Sequence, residues 1–105
     1  MPIITPEIPA AGRHVFYCYA IRVAGGRRDA LRAHLTERGI GTQIHYPVPI
    51  HMQEAAQFLG YRKGDLPVTE KVAGEVLSLP MYPELTDAQI DRVATGVTEF
   101  MRKKA

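Results

Sequence analysis

The stretch Val76-Leu77-Ser78-Leu79-Pro80, followed after a proline-containing turn by Thr86-Asp87-Ala88-Gln89-Ile90-Asp91-Arg92-Val93, sets a short apolar run beside the start of a long amphipathic helix. Thr86 and Gln89 have the spacing of a capping box, in which each side chain satisfies the other residue's backbone N–H. Ile90, Val93, Val97, Phe100 and Met101 then recur at helical intervals, which gives the helix one apolar face. Four apolar or small residues stopped by a proline read as a strand, although so short a run also fits the end of a buried helix. The expectation is a C-terminal helix lying over a sheet that contains residues 76–80.

Toward the N-terminus the same alternation of elements continues. His14 to Val23 is aromatic and β-branched and ends at Ala24-Gly25-Gly26, the pattern of a mostly buried strand and a tight turn. Arg27 to Arg38 places Ala30, Leu31, His34 and Leu35 on one helical face, with Gly39 as the stop. Gly41 to Tyr46 regains β propensity until Pro47-Val48-Pro49 removes backbone donors. His51 to Leu59 predicts a short helix ended by Gly60, and Pro67 to Glu75 another with its proline in the first turn. Residues 1–13, with Pro2, Pro6, Pro9 and Gly12, predict an extended lead-in or linker remnant ahead of a domain spanning 14–105. The order β, α, β, α, α, β, α is too short for a doubly wound sheet. It predicts an α+β two-layer sandwich, with a small, mostly antiparallel sheet of about three strands and helices packed on one face.

Composition narrows the function classes. A chain of 105 residues, 46% hydrophobic and 23% charged, is one ordinary globular domain. Its single cysteine, Cys18, allows no internal disulfide and no site with two thiolates, which suits a cytosolic protein. No basic segment leads into an apolar signal core and no apolar stretch approaches a bilayer span, so neither secretion nor membrane insertion is expected. The net charge of +2 is dispersed, apart from Arg27-Arg28 and Arg102-Lys103-Lys104 at element ends, and gives no footprint for nucleic acid.

The densest polar segment is Gly39 to His51, where His45, Tyr46 and His51 flank a rigid Pro-x-Pro turn. A side chain at a strand end beside a stiff loop is held by the sheet yet accessible, so it can be aimed at a ligand with little entropy to lose. His45 is the leading candidate. Read locally, a histidine there is more often a hydrogen-bonded structural or surface residue than a catalytic one. His45 and His51 lack the i, i+4 helical spacing of zinc motifs and a placed third ligand, so no metal is expected. Cys18, inside an apolar run, reads as structural and inert. Gly25-Gly26 makes a turn, not a phosphate loop. Tyr46, Tyr61 and Tyr82 lie in or beside loops, with packing as their default role. Lys63, Lys71, Lys103 and Lys104 occupy a loop, a helix face and the tail, and none reads as a Schiff-base lysine.

The ordered series Gly39-Ile40-Gly41-Thr42, His45-Tyr46-Pro47-Val48-Pro49-Ile50-His51, Leu59-Gly60-Tyr61, Gly64-Asp65-Leu66-Pro67-Val68 and Leu77-Ser78-Leu79-Pro80-Met81-Tyr82-Pro83 resembles the end of DegT/DnrJ/StrS sugar aminotransferases. The resemblance runs from about His14 to the last helix. It implies a parent enzyme with the aspartate-aminotransferase fold, whose missing N-terminal large domain holds pyridoxal phosphate through a lysine and whose small domain completes the cleft. By that resemblance the cofactor lysine is absent here and the isolated chain is inactive. His45 is then the residue that reaches toward cofactor and sugar, with Tyr46 and His51 as lesser candidates. The parent would be a homodimer moving an amino group from an amino acid, glutamate foremost, to a nucleotide-linked keto sugar. Met52, Glu54 and Tyr17-Cys18 depart from the family pattern and leave substrate detail open, and relatives that dehydrate sugars leave the reaction type open. The rival is a stand-alone binding or regulatory module beginning at Met1. A third reading, a metal-binding domain, requires a metal held by His45 and His51.

Overall fold

A computed structural model describes residues 3–103, so Met1, Pro2 of the lead-in, Lys104 of the terminal basic cluster and Ala105 lie outside it. The elements are β1 (Ile3–Ile4), β2 (Tyr19–Val23), α1 (Arg28–Glu37), α2 (Pro67–Glu75), β3 (Val76–Leu79) and α3 (Asp87–Arg102), with 3-10 turns at Ile50–Met52 and Glu54–Leu59. The strands form one antiparallel sheet in the order β1-β2-β3, giving the α+β class expected.

Register divides the sheet into two chemically different faces. Tyr19 pairs with Leu79, Ala20 with Ser78, Ile21 with Leu77 and Arg22 with Val76. Because successive side chains point to opposite faces, Ile21, Val23 and Leu77 share one side. There they join Leu31, Leu35 and Ile40 in the core, lined further by Val93, Val97 and Phe100 of α3. Ala20, Arg22, Val76 and Ser78 alternate to the other side, where polar groups are met instead: Arg22 bonds Glu75 at 2.8 Å and Ser78 bonds His45 at 2.9 Å.

Local signals explain the helix ends. After α1, the Gly39 N–H donates to the Thr36 carbonyl at 3.0 Å and the Ile40 N–H to the Leu35 carbonyl at 2.9 Å, with Gly39 left-handed at φ 75°. This is the paired closure that glycine permits, with Ile40 and Leu35 both buried beneath it. The capping box at Thr86 and Gln89 is present in both directions. Arginines close the remaining carboxyl ends: Arg28 Nη1 donates to the Ala73 and Val76 carbonyls, Arg92 to Arg38, and Arg27 to Phe100 and Lys103. The Arg27-Arg28 cluster thus serves helix ends, where cations complement the dipole.

Helices α1 and α3 pack together at Gly96, whose carbonyl lies 3.0 Å from His34 Nε2. A Cβ there would stand 3.0 Å from Leu35 Cδ2 and 3.3 Å from Ile40 Cδ1, both in the packed core. Gly74, on the exposed side of α2, would meet nothing within 4 Å. Alanine gains about 1 kcal/mol over glycine in a helix interior, and overpacking costs about 1–3 kcal/mol. Gly74→Ala should therefore raise the thermal midpoint and Gly96→Ala lower it, opposite signs from one chemical change. Thermal melts of the two variants check this.

Three segments differ from the sequence reading. Residues 41–46 do not form a strand; only Gln43 pairs, across Ser78, by bonds of 3.1 and 2.7 Å. Extension is blocked on both sides. Pro80 has no N–H to offer Gly41, and at the other end the Val76 N–H is taken by the Val72 carbonyl and its own carbonyl by Arg28. The sheet gains its third strand from the lead-in instead, where Ile3 and Ile4 pair with Val23 and Arg22. The 14–23 run is strand only from Tyr19, because Phe16 has φ 49° and its N–H turns back to His14 Nδ1 at 2.8 Å. The 51–59 helix is two 3-10 turns separated by extended Gln53, with Gly60 left-handed after them as its stop signal predicts.

Candidate functional site

The polar face of the sheet positions the leading candidate. Ser78 points from β3 toward the 41–46 segment, which its backbone pairing with Gln43 pins alongside. His45, two residues on from Gln43, is thereby brought within 2.9 Å of Ser78 Oγ through Nδ1. Cys18, just ahead of β2 on the same side, places Sγ 3.7 Å from the same nitrogen. With Nδ1 engaged, the ring is oriented, the condition for an imidazole to act on one ligand atom and not another.

His45 stands between two cavities and lines both. The larger, about 370 Å3, has walls from Tyr46, Val48 and Ile50 on one side and Val68, Val72 and Val76 on the other. The smaller, about 220 Å3, lies toward Cys18, Thr42, Ser78 and Met81. Around the larger cleft apolar side chains stand open to solvent: Tyr46 is 71% exposed, Ile50 77% and Val68 75%. A mostly apolar concavity with one oriented polar group is the general form of a ligand or docking site.

Tyr46 therefore joins His45 at the larger cleft, its ring edge toward the imidazole at 5.3 Å between centroids, across a cis His45–Tyr46 peptide. His51 does not join them. It is buried and lines neither cavity with His45; its Nε2 donates to Glu70 at 3.1 Å, and Tyr61 packs edge-on against its ring. Glu70 also accepts from the Gly64 N–H at 2.9 Å and the Leu66 N–H at 3.3 Å. The Gly64 bond above all, with help from His51 and Leu66, holds the Glu70 carboxyl below its usual pKa, while desolvation pulls the other way. This network ties the loop before α2 to the first 3-10 turn. His51 Nδ1 is buried with no partner among the described residues.

Sequence reasoning passed over Ser78, Thr42 and the position of Cys18. Ser78 was legible only as one residue of an apolar run; the signal that singles it out is the alternation itself, which sets it on the face opposite Leu77. Among the described residues no group of three or more His, Cys, Asp and Glu side chains could hold a metal, and no helix is long and apolar enough to cross a membrane.

Comparison with known proteins gives the setting of this site. A "Pleiotropic regulatory protein" of Geobacillus stearothermophilus is 45% identical over 100 residues, covering 95% of this chain and 26% of that protein. A dTDP-3-amino-3,4,6-trideoxy-alpha-D-glucose transaminase of Micromonospora megalomicea is 42% identical over 97 residues, covering 91% and 25%. Among solved structures, DesV of S. venezuelae in complex with ketimine intermediate superposes with TM-score 0.93 at 37% identity, covering 100% of this chain and 28% of DesV. The ntda protein of Bacillus subtilis with bound cofactor PMP gives TM-score 0.83 at 32% identity, covering 97% and 23%. The chain thus spans about a quarter of the length of the curated relatives it matches. Since a model of the DegT/DnrJ/EryC1/StrS aminotransferase family matches residues 1–98, and the fold agrees throughout, this chain belongs to that family.

Proposed function

We propose that this chain is the C-terminal small domain of a pyridoxal-phosphate-dependent aminotransferase that delivers an amino group, with glutamate as donor, to a nucleotide-linked keto sugar in the cytoplasm. The observation that carries the reading is His45, oriented by Ser78 at the junction of two cavities beside an uncovered apolar rim. A missing large domain would close over that rim. Tyr46 would pack at the same wall, whereas His51 would act at one remove by fixing the loop before α2. The parent is proposed to be a homodimer.

The residues of this chain do not by themselves suit pyridoxal phosphate. The described lysines, Lys63, Lys71 and Lys103, are exposed, and none lines either cavity with His45. The cofactor, which supplies an electron sink for carbanion chemistry when bound, belongs in this reading to the large domain. What this chain contributes is an imidazole held at Nδ1 and free to meet a ligand on its remaining edge, together with apolar walls that exclude water once covered. The isolated chain is proposed to be inactive.

The test is reconstitution of the large domain with this chain, following cofactor absorbance and transamination of a nucleotide-linked keto sugar. Turnover should require the chain, and His45→Ala should lower it about tenfold, the worth of one hydrogen bond of roughly 1–1.5 kcal/mol made to the reacting complex. Turnover unchanged by omitting the chain overturns the reading. It would favour a regulatory module, a role to which the name of the Geobacillus relative lends support.

A further inference from the structure

Two hydrogens converge on one nitrogen behind the imidazole. Ser78 is buried, its backbone N–H and carbonyl are both spent on Gln43, and among the described residues its hydroxyl meets a single partner, His45 Nδ1 at 2.9 Å. Cys18 brings a weak S–H donor to the same nitrogen, with Sγ at 3.7 Å. A neutral imidazole carries its proton on one nitrogen and accepts at the other, and the hydrogen bonds around it decide which. If Nδ1 held the proton, Ser78 would have to accept, and its own O–H would be left in a buried place with no acceptor among the described residues. That is the costly arrangement for a polar group. With the proton on Nε2, the Ser78 and Cys18 hydrogens both face the Nδ1 lone pair. His45 itself is exposed, and its Nε2 makes no hydrogen bond among the described residues.

We propose that Ser78 is a positioning residue that fixes His45 as its Nε2–H tautomer, so that the site offers its ligand a hydrogen-bond donor and takes an acceptor oxygen there. In that form the imidazole lone pair is on Nδ1, turned to Ser78, and Nε2 has none with which to take a proton from the ligand. A ligand oxygen with a free lone pair is accepted at Nε2, while a group that brings only hydrogens meets the Nε2 proton unfavourably. The backbone holds both partners in place: Ser78 sits in the β2–β3 register, and the Gln43 bridge pins the segment that carries His45 beside it. The ligand half of this inference rests on the aminotransferase reading, and the tautomer half does not.

The experiment reads the proton directly, by long-range proton–nitrogen NMR correlations within the imidazole of the isotopically labelled 105-residue chain, the His45 signals being those lost in His45→Ala. It is run at about pH 7.5, where a free imidazole is mostly neutral and a free thiol mostly protonated. Wild type should hold Nε2–H over Nδ1–H by a ratio about tenfold above that of the same chain unfolded in urea, the worth of one hydrogen bond. Ser78→Ala, checked as folded by its amide spectrum, should return the ratio toward the unfolded value, and Cys18→Ala should move it less. In the reconstituted enzyme His45→Gln, which keeps an N–H donor, should turn over several-fold faster than His45→Ala. A proton on Nδ1 in wild type, or a ratio no different from that of the unfolded chain, overturns the tautomer assignment whatever becomes of the enzyme reading. An Nε2–H tautomer with His45→Gln no faster than His45→Ala overturns the donor role.

Discussion

Replacing Leu77 by alanine should lower the stability of the fold by about 3–4 kcal/mol, among the largest effects expected of a single truncation in the described residues. Leu77 is wholly buried, sits opposite Ile21 at the centre of the β2–β3 ladder, and belongs to the cluster that includes Leu31 and Leu35 of α1 and Ile40 beyond it. Its removal forfeits the transfer of a leucine side chain and leaves a void that a strand, unlike a loop, cannot collapse to fill. For a domain of this size the thermal midpoint should fall by roughly 12–32 °C. Val68→Ala is the matched control. Val68 is also a branched apolar residue but stands 75% exposed on the larger cleft, so its truncation should change stability by no more than about 0.5 kcal/mol. Urea titrations of both variants check the contrast. Equal destabilisation would mean that the cleft wall is part of the core and not an uncovered surface.

That contrast also marks what the sequence could and could not say. Periodicity identified most of the core side: Leu31 and Leu35 on α1, and Val93, Val97 and Phe100 on α3, all meet at the cluster, whereas Ala30 and Ile90, expected on the same faces, stand exposed where the helices begin. The cap signals at Thr86 and Gly39 were legible because each is a local exchange of hydrogen bonds, settled within a few residues. Strand identity was not local in this way. Residues 41–46 have β propensity, but their pairing depends on whether Val76 and Pro80, more than thirty residues away, have free donors and acceptors, and they do not. Ile3–Ile4 has no pattern beyond two isoleucines between prolines, yet β2 offers it an unpaired edge. The site follows the same rule. His45 stood out by residue type and by its place in a motif, while Ser78 and Thr42, which orient it and line its cavity, are unremarkable in sequence and become informative only through register and burial.

The polar face carries the other large expected effect, at Glu75. This carboxylate ends α2, where the helix dipole disfavours negative charge, and its residue is buried. What stabilises it there is Arg22, whose Nη2 donates to Oε1 at 2.8 Å. Arg22 in turn depends on Glu75, since its Nε is buried without a partner among the described residues. Removing one member leaves the other's charge uncompensated. A fully buried pair broken this way costs about 3–5 kcal/mol, and an exposed one about 0–1 kcal/mol. With side-chain exposures of 33% for Arg22 and 11% for Glu75, Glu75→Ala should cost about 2 kcal/mol. Glu75→Gln, which keeps an acceptor and loses the charge, should cost about half as much. The double variant Arg22→Met with Glu75→Leu should return close to wild-type stability, because it removes the charges and the orphaned Nε together. Denaturant midpoints of the three variants decide the matter. A double variant as unstable as Glu75→Ala would show that the pair fixes the angle at which α2 enters β3, and hence the shape of the cleft wall at Val72 and Val76, beyond balancing its own burial.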